Sequence, residues 1–152
     1  MSLTNHLLTG ALLGATLPLP IAVPLAFVSH FVLDALPHFG FRDNTQYRQH
    51  RSLHLSILTI DVLLSTLLIG WLIALHRFDL VFCAIIAWSP DMVWVYRFVF
   101  MENFGRIPPP NTHNHRLINF HINIQKYERI WGLGVEIVYG VAILMLIIIV
   151  GR

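Results

Sequence analysis

The hydrophobic and polar positions divide the chain into apolar stretches separated by short polar breaks. Leu3–Leu17 opens on Thr4 and Asn5, both suited to cap a helix, and stops at Leu17-Pro18-Leu19-Pro20. That run falls short of the about 20 apolar residues a full crossing needs. Ile21–Leu36 is a second apolar run, with Pro24 tolerable in its first turns. Together they predict a hairpin of two short helices. Pro37–Arg51 is polar. Leu53–Leu75 is the clearest transmembrane candidate, with His54 at its start and Asp61 inside it. A tight polar turn, His76–Asp79, leads to another span, Leu80–Phe100, which holds Pro90 and Asp91. Glu102–Arg129 is a long polar loop in which Pro108-Pro109-Pro110 must be extended. Leu117, Phe120, Ile124 and Tyr127 recur at helical spacing, so His115–Trp131 predicts an amphipathic interfacial helix. Gly132 and Gly134 loosen the chain before the last span, Val135–Val150.

Composition turns this pattern into a class. The 152 residues are 56% hydrophobic and 12% charged, against about 25% charged in soluble domains, and the mean hydropathy is +0.67. The expectation is one all-α, polytopic integral membrane domain over residues 1–152: a short N-terminal helical hairpin, three transmembrane helices and a cytoplasmic amphipathic helix. A net charge of +2 offers no nucleic-acid surface, despite a pI near 9.0. The single cysteine, Cys83, excludes an intrachain disulfide. The first residues lack a basic region and an A-x-A site, so they do not read as a removed signal peptide. Arg42, Arg48, Arg51, Arg106, Arg116, Lys126 and Arg129 all lie in the two long polar loops. The positive-inside rule therefore puts those loops in the cytoplasm.

The ionisable residues then collect at one end. His30 and Asp34 stand at i and i+4 on one helical face, with His38 just beyond Pro37. His6 opens the first helix; His50 and His54, again i and i+4, open the third. Asp61 and Asp91 lie within spans, where a charge costs on the order of 3 kcal/mol and so faces a cavity or a partner. Imidazole and carboxylate converging from four segments point to a divalent metal, zinc in the first place. Each residue also has a plainer reading: an interfacial helix start for His6, a packing hydrogen bond for His30 with Asp34, solvated positions for His50 and His54, and a kink acceptor for Asp91. His113, His115 and His121 read as surface residues before they read as ligands.

Four short segments resemble the family of predicted inner-membrane metal-dependent hydrolases. They are Asn5-His6-Leu7-Leu8; Ser29-His30 through Asp34 to Pro37; His50-Arg51-Ser52-Leu53-His54-Leu55-Ser56; and Ser89-Pro90-Asp91. The segment order and the spacing of the second histidine after His50 depart from that pattern. Met92-Val93 stands where a second aspartate belongs, so one carboxylate is absent or supplied by Asp61. A looser similarity, over His30, Phe31, Asp34, Pro37 and His38, is to zinc-dependent phospholipases C and related single-strand nucleases. These resemblances imply all-α proteins with metal-assisted phosphoester chemistry, and the first of them implies the inner membrane.

The expected function is a membrane hydrolase that cleaves an ester or phosphoester of a lipid-like or phosphorylated small substrate, drawn from membrane lipid. His6, His30, Asp34, Asp91, His50 and His54 are the candidate metal ligands. Asp61 or Asp34 is the candidate general base, and Arg42, Arg48 and Arg51 are candidates to hold a phosphate. Two alternatives stand beside this: a non-enzymatic metal- or haem-binding protein, and a structural membrane subunit. A transporter fits poorly, because the outer half of each span is nearly free of polar groups.

Overall fold

In the computed structural model, residues 1–41, 44–93, 113–125 and 127–150 are described. They form α1 (Leu3–Thr16), α2 (Leu19–Asp34), the short α3 (Asn44–Gln49), α4 (Arg51–Ala74), α5 (Phe78–Trp88) with a 3-10 turn at Ser89–Asp91, α6 (His113–Ile124) and α7 (Gly132–Val150). The all-α expectation holds, and breaks fall at Pro18, at Pro37 and at His76, although the last turn is shorter than expected because Phe78 and Asp79 already open α5. His76 takes a left-handed conformation (φ 55°) that lets α4 reverse into α5.

The fold is organised around α1. It packs antiparallel to α2 and α5 and parallel to α4 and α7. The first contact rests on small residues. A Cβ on Gly10 would collide with the Cys83 carbonyl and the Ala84 backbone, and one on Gly14 would lie 3.1 Å from the Cys83 Cβ. Backbones that approach this closely gain dispersion contacts, which is how helices associate where no hydrophobic effect drives them together. Leu7, Leu8 and Ala11 of α1 complete a core with Leu68, Leu72, Leu80, Ala84 and Ile147.

Apolar side chains also cover the outside. Leu63, Leu67, Val138 and Ile149 are among many large hydrophobic residues more than half exposed. Among the described residues, two helices are long and apolar enough to cross a membrane: α4, at 24 residues, and α7, at 19. Only 17% and 11% of their most apolar windows are buried, so they are not the core helices of a water-soluble domain. The third expected span, Leu80–Phe100, is corrected in part. Its α-helix ends after 11 residues at Trp88, because Pro90 gives no N–H to continue the ladder and the chain tightens into the 3-10 turn. Residues 94–100 lie outside the described region.

At the α1 N-terminal end, the segment after α2 meets the segment before α7. Arg129 N–H donates to the His38 carbonyl at 2.9 Å and Gly40 N–H to the Arg129 carbonyl at 3.3 Å, forming a parallel bridge between His38 and Glu128. Gly132 must be glycine here, because a Cβ would run into the His38 backbone. His38–Gly40 and Glu128–Arg129, from the two long polar stretches of the sequence, thus meet at one end of the molecule.

Candidate metal centre

The antiparallel hairpin of α1 and α2 brings the start of one helix beside the end of the other. Asp34, the last residue of α2, is fully buried. The negative end of the α2 dipole disfavours a carboxylate there, so Asp34 needs donors or a cation around it. It has both kinds of neighbour. Its Oδ1 accepts from His6 Nε2 at 3.1 Å and from the amino group of Met1. Its Oδ2 lies 2.9 Å from His121 Nε2 and accepts from the Gln125 amide at 3.0 Å.

His30, one turn earlier on α2, is also fully buried. Its Nδ1 lies 3.0 Å from the Ala87 carbonyl of α5. A carbonyl only accepts, so Nδ1 carries a hydrogen and Nε2 is the ring atom that faces the cluster. The 3-10 turn delivers Asp91, whose side chain is 21% exposed while the other three members are buried. α6 delivers His121.

His30, Asp34, Asp91 and His121 each place one ligand atom within 4.8 Å of all the others, and the group could hold a metal ion. The finer spacing bears on which geometry. From His30 Nε2 it is 3.3 Å to Asp34 Oδ2, 3.6 Å to Asp91 Oδ1 and 3.3 Å to His121 Nε2. From His121 Nε2 it is 2.9 Å to Asp34 Oδ2 and 3.4 Å to Asp91 Oδ1. Metal–ligand bonds of about 2.0–2.1 Å set ligand atoms about 3.3–3.4 Å apart in a tetrahedron. The five separations bracket that edge, and two nitrogens with two carboxylate oxygens are a donor set zinc accepts. His6 stacks on His30, with ring centroids 4.1 Å apart. Its buried Nδ1 has no hydrogen-bond partner among the described residues.

His121 lies on α6, outside the apolar spans. Burial works against its protonation, but the hydrogen bonds and charges of Asp34 and Asp91 outweigh that and push its pKa up to about 9. A metal arriving here displaces a proton.

The other expected residues lie elsewhere. His50 is exposed and stacks on Phe41 (6.2 Å), and His54 lies against Phe39 and Phe41 (6.3 and 5.6 Å). The reason is the register of α4. Its Asp61 sits level with the start of α1, so His54 and His50 lie about 10 Å and about 16 Å past it at 1.5 Å per residue. Asp61 is not brought to the cluster either. Its two oxygens accept the N–H groups of Leu3 (2.7 Å) and Thr4 (2.9 Å), which caps α1 from a neighbouring helix. Thr4 Oγ adds bonds to the Asp61 carbonyl (3.1 Å) and Ser65 (3.0 Å). Arg48 and Arg51 are exposed around the start of α4, and Arg42 lies outside the described residues. His38 donates from Nδ1 to the Leu36 carbonyl at 2.7 Å and faces Glu128 at 3.7 Å.

His121 and Gln125 are the members that reading the sequence did not select. The signal was present: Leu117, His121 and Ile124 recur at helical spacing, which puts His121 on the same stripe as the apolar residues. No protein-family profile, no curated protein and no solved structure matches the chain.

Proposed function

We propose that the protein is a membrane-embedded metal-dependent hydrolase, acting on an ester or phosphoester of a lipid-like substrate near the cytoplasmic face of the inner membrane. The observation that carries this is the convergence of His30, Asp34, Asp91 and His121, with ligand atoms within 4.8 Å of one another and His30 already oriented by the Ala87 carbonyl. The orientation rests on basic residues: Arg48, Arg51, Arg116 and Arg129 belong to the segments at the site end, whereas Arg77 sits at the far end.

The division of labour follows from burial. His30, Asp34 and His121 would hold a divalent metal, zinc in the first place. When bound, such a metal polarises an ester oxygen and lowers the pKa of water toward about 7. Asp91, the one partly exposed member at 21%, would take the proton of an attacking water. His6 braces His30 by stacking and holds the second oxygen of Asp34.

One observation favours a second reading. Four protein donors fill a tetrahedral shell, and closed shells are the mark of structural zinc sites. Elemental mass spectrometry on detergent-purified protein separates the two. About one metal per chain is expected in the wild type, with loss in His30→Ala. Asp91→Asn should keep the metal and lose hydrolysis of a phospholipid and phosphoester panel if Asp91 is the base. If Asp91→Asn loses metal and the wild type hydrolyses nothing, the site is structural. A folded, metal-free wild type would refute both.

A further inference from the structure

A second feature lies on the opposite side of α1 from α2. Between α4 and α7, with α1 as its floor, runs a cleft of about 580 Å³, within the about 300–1,000 Å³ typical of small-molecule sites. Its walls are bulky and apolar: Leu64 and Trp71 from α4, Ile137, Val141 and Leu144 from α7. Its polar groups gather at one end, where Ser2, Thr4, Asp61 and Glu136 line it. That end adjoins the metal centre through consecutive residues, since Ser2 N–H donates to Glu136 at 2.9 Å while the Met1 amino group contacts Asp34.

We propose that this cleft holds one acyl chain of a membrane lipid, with the lipid's polar end directed toward the His30–Asp34–Asp91–His121 centre. Three observations select this occupant. First, both walls are the helices long and apolar enough to cross a membrane, so the cleft opens onto hydrocarbon. Second, the lined stretch of α4, Ile57 to Trp71, rises about 21 Å, and that of α7, Leu133 to Leu144, about 16 Å. That is close to one leaflet, half of the about 30 Å hydrocarbon core. Third, the lining is unlike a helix-docking seam. Where helices of this chain meet closely, Gly10, Gly14, Ala84 and Ala87 make the contact; the cleft presents Leu, Ile and Trp, which hold a groove open. The inference rests on the hydrolase reading for the direction of the head group, and names its substrate as an acylated lipid.

The test uses the full-length protein in detergent with a diacyl phospholipid bearing a diazirine midway along one acyl chain, photolysed at equimolar ratio and mapped by peptide mass spectrometry. Adducts are expected on Leu64, Ile137 and Leu144 in preference to the outward residues of α2, such as Phe27 and Val32, and excess unlabelled lipid should displace them. Val141→Trp and, independently, Leu64→Trp should lower labelling by about fivefold or more, as overfilling a fitted site does. Val138→Trp, on an exposed position outside the cleft, should not. Unchanged metal content checks the fold of each variant. Labelling spread evenly over α2, α4 and α7 and indifferent to both cleft variants would overturn the proposal, as would chain-to-chain adducts showing a second copy in the cleft. Metal content measured in parallel separates the two readings. Cleft labelling on a wild type that binds no metal leaves the lipid site standing and removes the hydrolase; metal with no cleft labelling does the reverse.

Discussion

At the residue scale, Asp34 is the hinge of the site. It is buried at the unfavourable end of a helix dipole and meets His6, His121, Gln125 and the Met1 amino group with its two oxygens. His30→Ala and His121→Ala are each expected to reduce bound metal from about one per chain to near zero, because each removes a nitrogen from the shell. His50→Ala and His54→Ala should leave the metal in place, since both rings pack on Phe39 and Phe41 instead. Loss of metal in those two and retention in the first two would move the centre to the start of α4. The raised pKa of His121, about 9 in the metal-free protein, adds a pH signature. Its folded value lies above the about 6.5 of an unfolded histidine. The stability it contributes is therefore full below about pH 6.5 and is lost as pH rises through about 9. Metal competes with that proton, so apparent affinity should rise up to about tenfold per pH unit over the same window. Competition against a chelating dye at pH 6.5, 7.5 and 8.5 measures it. A flat profile would show that His121 is not a ligand.

At the element scale, the site depends on how closely α1 and α5 approach, because α5 carries both the Ala87 carbonyl and the turn to Asp91. Gly10→Ala is expected to destabilise the protein by about 1–3 kcal/mol, since the added methyl meets the Cys83 and Ala84 backbone. Gly70→Ala, in α4 with nothing within 4 Å of the new Cβ, should be neutral or stabilising by up to about 1 kcal/mol. Thermal unfolding in detergent reads both, and equal midpoints would contradict the α1–α5 packing. The elements themselves were legible because the strong breaks are chemical: Pro18, Pro37 and the turn at His76; Gly132 and Gly134, expected to precede the last span, instead open α7. The contents of the site were less so. His30 and Asp34 announce themselves by i, i+4 spacing within one apolar run. The register of α4 against α1 is a tertiary property, so Asp61 read as a candidate base although it caps α1. His121 was hidden for the converse reason. On a polar, amphipathic segment a histidine looks solvated until the helix docks.

At the scale of the whole molecule, the polar and apolar parts are separated along one axis, and that separation sets how the protein sits in a bilayer. The His30–Asp34–Asp91–His121 cluster, the bridge between His38 and Glu128 and the exposed Arg48 and Arg51 occupy one end; the turn from α4 into α5, with its Arg77–Asp79 pair at 3.2 Å, occupies the other. α1 is 14 residues long, about 21 Å, and is enclosed by neighbours, so it need not reach across the about 30 Å core that α4 can span. With α1 shorter than α4 and α7, the proposed hydrolytic site would meet water at one end while a lipid chain stays in hydrocarbon. The proposed cytoplasmic placement of the cluster predicts sidedness. In intact cells, a membrane-impermeant maleimide should label Asp79→Cys, in the far turn, and should reach Ser52→Cys only after the membrane is opened. Cys83 is buried against α1 and should stay unlabelled in both. The opposite pattern would place the metal centre on the outer face, where the basic residues beside it would violate the charge rule.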